Sequence, residues 1–97
     1  MAYQIRVTTI APGMMETFVE EWTATVAPLR RRVGFTIVGA WVMEGTDDFI
    51  WILDYDGDEG FAAADTAYYA SEERKAFDPD PARLIVSTHD RMGRRVV

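Results

Sequence analysis

Ninety-seven residues make one domain, 1–97, and a chain of this size buries only about two-thirds of its unfolded surface, so a shared subunit interface is expected. Its 48% hydrophobic content supplies a core, while no apolar run approaches the roughly 20 residues of a membrane span, so no membrane partner is expected. The net charge of −6 speaks against nucleic acid, whose phosphates need a basic surface, and the absence of cysteine excludes disulfide and thiolate chemistry and fits a cytoplasmic location.

Met1-Ala-Tyr-Gln leads directly into a strand pattern rather than a signal-like start. From Tyr3 to Ile10, Tyr3, Ile5, Val7 and Thr9 alternate with Gln4, Arg6, Thr8 and Ile10, which predicts a strand with one apolar face. Pro12 supplies a helix-starting φ and Gly13 loosens the entry. Met15, Phe18, Val19, Trp22, Val26 and Leu29 then recur at the spacing of a helix packed on a sheet. Early Glu16, Glu20 and Glu21 and late Arg30, Arg31 and Arg32 complement its dipole, and Pro28 either kinks or shortens it.

Gly34 is a stop signal, and Phe35–Glu44 is expected to be the second strand. Gly45-Thr46-Asp47 has hairpin chemistry and returns the chain into a third strand, Phe49–Tyr55. The loop length is open, so the facing of Trp41 relative to Trp51 is open too. Gly57-Asp58-Glu59 starts a helix through about Tyr69 with Phe61, Ala64 and Tyr68 inward. Ser71 caps a short turn, Glu72–Phe77, before Pro79 and Pro81; Leu84 to about Met92 is the fourth strand. The order β-α-β-β-α-β predicts a ferredoxin-like α+β sandwich, a four-stranded antiparallel sheet with helices on one face. Its other face would then carry Ile50 and Ile52 into water, which calls for a partner.

Tyr3-Gln-Ile-Arg6, Pro12-Gly13, Trp22, Pro28, Gly34-Phe35, Trp41, Trp51 and Tyr55, in that order, resemble a NIPSNAP-like domain of the dimeric α+β-barrel proteins. The resemblance is strongest from Tyr3 to Tyr55 and implies a homodimer whose two sheets pack face to face. Relatives with this barrel include cofactor-free monooxygenases, polyketide cyclases, lactone isomerases and haem-degrading enzymes. The haem branch usually needs a histidine on the second helix, and Asp58–Phe77 has none. Arg6 matches the family's first-strand arginine, whereas Gln4 stands where glutamate is usual, Ser71-Glu72 where Asp-Pro is usual, and Arg74 where tryptophan is usual.

His89 is the only histidine, and so the only side chain whose ordinary pKa suits proton traffic near neutrality. It shares a strand face with Ser87 and Arg91, opposite to Thr88 and Asp90, and a surface or interface role is the competing reading. Trp22, Trp41, Trp51 and Tyr68 are expected to shape a cleft for a flat, small aromatic or apolar molecule, although helical spacing alone explains Trp22 as core. The expected catalytic set is His89 as acid or base, Tyr55 or Tyr68 as hydrogen-bond donor and Arg6 as anion stabiliser, with an inter-subunit ion pair as Arg6's alternative role. No cofactor is expected. Asp54–Asp65 superficially follows a calcium loop, but Glu59 replaces its glycine and Asp65 its final glutamate, so no metal is expected. The functional expectation is a cofactor-independent cyclase, isomerase or monooxygenase acting on an aromatic or polyketide-like substrate; the alternative is a non-catalytic binding or interaction module. Nine arginines against the single Lys75, with abundant alanine, suggest a GC-rich bacterial source.

Overall fold

The computed structural model describes residues 2–97. Its strands are β1 (Ala2–Ile10), β2 (Thr36–Val42), β3 (Asp48–Asp54) and β4 (Ile85–Arg94). Its helices are α1 (Met15–Ala24), α2 (Val26–Arg32), α3 (Phe61–Ala70) and α4 (Glu72–Lys75), and a 3-10 turn, Pro81–Leu84, leads into β4. All strand pairs are antiparallel and the sheet order is β2-β3-β1-β4. This is the ferredoxin-like α+β architecture expected from the element order, with the helices on one face of the sheet.

Two helices start later than the sequence suggests, α3 at Phe61 rather than within Gly57–Glu59, and the first is interrupted near Pro28 as expected. The first helix begins at Met15 rather than at Pro12, because Gly13 takes φ 78° and turns the chain before any helical hydrogen bond can form. It then breaks at Thr25, whose φ/ψ of −121°/−61° separates α1 from α2. Pro28 accounts for the break: it offers no N–H to the carbonyl of Ala24, four residues earlier, and its ring crowds that carbonyl. The Thr25 hydroxyl instead donates to the Glu21 carbonyl at 2.7 Å.

The core lies between the helices and the inner face of the sheet. Phe49, Trp51 and Leu53 of β3 meet Phe18 and Trp22 of α1, Ala27 and Leu29 of α2, and Ala64 and Tyr68 of α3. Edge-to-face contacts bind the aromatic part, with ring centroids 5.2 Å apart for Phe18–Phe49, 5.0 Å for Trp22–Phe49 and 5.2 Å for Trp22–Trp51. Each such pair contributes about 0.5–1.5 kcal/mol beyond the apolar area it buries.

The central strand β1 turns its polar alternation inward. Arg6, Thr8 and Ile10 are buried beneath the helices, whereas Ile5 and Val7 look out from the other face and are only half-buried. On β3 the same outer face carries Ile50 and Ile52, as the sequence implied. A bulge in β2 between Ile37 and Gly39 adds one residue opposite β3 and reverses the facing of everything after it. Trp41 therefore pairs with Ile50 on the outer face, 49% exposed, and its ring lies over Gly39, where an added Cβ would come within 2.6 Å of it.

Candidate functional site

A cavity of about 120 Å³ lies between the sheet and the helices. Arg6, Thr8, Trp51, Thr88 and Asp90 supply its sheet side. Phe18 and Trp22 of α1, Val26 and Arg30 of α2, and Tyr68 and Tyr69 of α3 form the opposite wall; Arg74 and the Pro81-Ala82 turn complete it. The turn is fixed from two sides. Arg83 forms a two-pronged ion pair with Glu21 of α1, and Asp80 accepts from Arg74 at 3.0 Å.

The polar chemistry concentrates on one carboxylate. Asp65 of α3 accepts from Arg6 at 3.0 Å and from Arg30 at 2.7 Å through the same oxygen. Tyr69, one helical turn further on, accepts from Arg6 at 2.8 Å and from Arg30 at 3.4 Å, and Gln4 accepts from the Arg6 Nε. Arg30 is 0% exposed. Its guanidinium lies 3.6 Å from the Tyr68 ring centroid and 4.6 Å from that of Phe35, so ring faces replace part of the lost hydration.

Burial works against the charged form of Arg6, but the Tyr69 hydroxyl and the Asp65 carboxylate outweigh it and hold the guanidinium above the ordinary arginine range. Burial raises the Tyr68 hydroxyl above the ordinary tyrosine range, partly offset by Arg30 and Arg74, so this phenol is a donor near neutrality and not a base. Trp22 Nε1, Arg30 Nε, Arg74 Nε and the Tyr68 hydroxyl are buried on cavity-lining residues without a hydrogen-bond partner among the described residues. Buried polar groups are seldom left so, and each costs about 1–3 kcal/mol unpaired.

The expected site residues divide among different places. Arg6, Trp22, Trp51 and Tyr68 come together at the cavity. His89 does not: it pairs with Val7, so it stands exposed on the outer sheet face, on the opposite side from Arg6. Strand alternation instead brings Asp90, the Cα partner of Arg6, to the cavity. Tyr55 follows β3 and packs its ring against Phe35, 4.9 Å between centroids, in a groove with Val33, Glu59 and Ser71 outside the cavity. Trp41 faces outward with Ile50 and takes no part. His89, Arg6 and Tyr55 are thus not one constellation in the chain.

Arg30, Asp65 and Asp90 escaped the sequence reading. Arg30 continues the four-residue stripe Phe18, Trp22, Val26, which marks it as inward-facing, yet its position in Arg30-Arg31-Arg32 suggested only a dipole role. Asp65 falls four residues after Phe61 on α3 and was legible as a buried-face carboxylate by the same test. Among the described residues, no group of three or more His, Cys, Asp or Glu is arranged to hold a metal ion, and no helix is long and apolar enough to cross a membrane.

The NIPSNAP family profile matches residues 3–96. An uncharacterized NIPSNAP domain protein from Burkholderia xenovorans superposes with a TM-score of 0.86 at 15% identity, covering 99% of this chain and 95% of that one. A NIPSNAP family protein from Agrobacterium tumefaciens gives 0.82 at 18% identity over 98% and 85% of the two chains. A protein described as an antibiotic biosynthesis monooxygenase gives 0.72 at 15% identity over 100% of both, a likeness of fold. No curated protein is significantly similar in sequence. Sequence profile and fold agree, and the chain belongs to the NIPSNAP family.

Proposed function

We propose that the chain is a small-molecule-binding homodimer whose site is the cavity between sheet and helices, and that it promotes proton transfer on a compact aromatic or enolisable molecule without metal or organic cofactor. The observation that carries this is the set of buried, unpartnered polar groups on the cavity wall, Trp22 Nε1, Arg30 Nε, Arg74 Nε and the Tyr68 hydroxyl. A ligand with acceptor atoms satisfies them, while Phe18, Trp51 and Val26 take its apolar body. The guanidinium-rich wall repels a metal cation. Asp90 takes the proton-acceptor role first expected of His89, and Arg6 keeps its own: a carboxylate at the solvent end removes a proton as negative charge develops on an oxygen beside Arg6. The monooxygenase of like fold supports a catalytic over a purely structural use of the scaffold.

Size narrows the substrate. A cavity of about 150 Å³ holds benzene, whereas drug-sized ligands occupy roughly 300–1,000 Å³. At about 120 Å³ the site is smaller still and takes no more than a short chain or a single ring reaching toward its open side, and a polycyclic polyketide would extend beyond it. The homodimer rests on the outer face, where Ile5, Ile52, Tyr3 and Val38 border a shallow depression of about 330 Å³ and Trp41 is exposed beside them. A cysteine-free chain is at home in the cytoplasm.

Tryptophan fluorescence and thermal shift against a panel of one-ring acids, phenols and 1,3-dicarbonyl compounds, followed by deuterium uptake into those that bind, test the proposal. Binding with deuterium uptake that Asp90→Asn abolishes is expected. Binding without uptake would favour the non-catalytic module, for which the exposed position of Asp90 speaks; no binding at millimolar concentration would overturn the site.

A further inference from the structure

The unpartnered nitrogen groups on the cavity wall, Trp22 Nε1, Arg30 Nε and Arg74 Nε, can only donate hydrogen bonds. The buried part of the wall holds three guanidinium groups, Arg6, Arg30 and Arg74, but the carboxylate set among them, Asp65, serves both Arg6 and Arg30. Arg74 has its own partner in Asp80 at 3.0 Å, toward the more exposed side. Pairing Arg74 with Asp80 and one of the other two with Asp65 leaves a single buried positive charge. Asp90, exposed at the solvent end, also acts on Arg6, the weakest of that group's partners, so it offsets only part of this charge and opposes a second negative charge on a ligand.

From this balance, and resting on the binding role proposed above, we infer that the cavity's ligand is a monocarboxylate: a carboxylate seated against the arginine wall on an apolar body of about one ring. A carboxylate is acceptor-only and supplies about four lone-pair sites, which matches three nitrogens that can only donate and a Tyr68 hydroxyl free to donate as well. An amide of the same shape offers one acceptor oxygen in place of two and turns its NH2 toward nitrogens that only donate, where the Tyr68 hydroxyl alone among the unpartnered groups can accept. A phosphate dianion carries one charge too many for the buried excess and meets Asp90.

The test compares benzoate with benzamide and phenyl phosphate on the wild-type protein by tryptophan fluorescence and thermal shift. Benzoate is expected to bind more tightly than benzamide by about tenfold or more, with phenyl phosphate weaker than benzoate. Equal or tighter binding of benzamide would overturn the inference and leave the cavity as a site for neutral rings; tighter phenyl phosphate would overturn the single charge. Binding of none of the three would remove the cavity site itself. A second readout uses Asp65→Asn, which strips both guanidinium groups of their carboxylate. Benzoate should raise the melting temperature of this variant more than that of wild type, and where the variant folds only with benzoate present, the same conclusion holds. A smaller benzoate shift in the variant than in wild type would overturn the inference.

Discussion

Asp65→Asn is the substitution that most directly examines how the site is held. Asparagine keeps the shape and one acceptor oxygen but removes the charge that Arg6 and Arg30 approach at 3.0 and 2.7 Å. Removing one partner of a buried ion pair costs about 3–5 kcal/mol, because the remaining charge is stranded. Here Arg30 is wholly enclosed, but the Asp65 side chain is 24% exposed, so water relieves part of the loss and the low end, about 3 kcal/mol, applies. For a domain of this size that lowers the melting temperature by about 10–20 °C and takes a large share of a total stability of about 5–10 kcal/mol. Urea unfolding followed by circular dichroism measures it. A loss below about 1 kcal/mol would refute the reasoning and mean that the Tyr68 and Phe35 rings, with the Tyr69 hydroxyl, hold the guanidinium groups without help from the carboxylate.

Further outcomes are expected at sites that separate the two faces of the sheet. His89→Gln, on the exposed outer face, should leave the affinity of any cavity ligand within about twofold; a larger loss would return His89 to the site. Ile52→Asp should dissociate the proposed homodimer in light scattering while the monomer keeps its far-ultraviolet spectrum, and a wild-type monomer at micromolar concentration would dismiss the interface. Tyr68 gives a pH signature: with its folded-state pKa raised by burial, the unfolded chain releases the phenolic proton first. Stability is therefore full below about pH 10 and falls as pH rises through the folded value. Tyr68→Phe should flatten that alkaline fall in urea midpoints taken from about pH 9 to 11, and an unchanged slope would place the titration elsewhere. Trp41→Phe should leave ligand quenching intact, since Trp22 and Trp51 line the cavity and Trp41 does not.

Element order, the outward Ile50 and Ile52, the cap at Ser71 and the opposition of His89 to Asp90 were all legible, because alternation and capping are local rules. Trp41 was not. Its facing depends on one extra residue in β2, and a bulge shows only when the strand is laid against β3. The buried polar cluster was hidden for a related reason. Arg6, Arg30 and Asp65 come from a strand and two helices up to 59 residues apart, and nothing in a run of neighbours announces that they share an oxygen. The apolar alternation on β1 also invites placing Ile5 and Val7 inward, whereas the inner face must accommodate arginine.

The rim of the sheet has a consequence for how this chain behaves in a crowded cell. Strand β4 is ten residues long and lies at one edge, so its outer row of amide and carbonyl groups is a template on which a stray strand from another molecule could nucleate a fibril-like ladder. Asp90, Arg91 and Arg94 stand along it as gatekeepers, since stacking identical strands would bring like charges into register. The opposite rim, β2, is guarded by geometry instead: its bulge twists the edge away from flat pairing. The proposed dimer joins the sheets face to face and leaves both rims bare, so its dispersal depends on the rims, and each is kept inert by a different device.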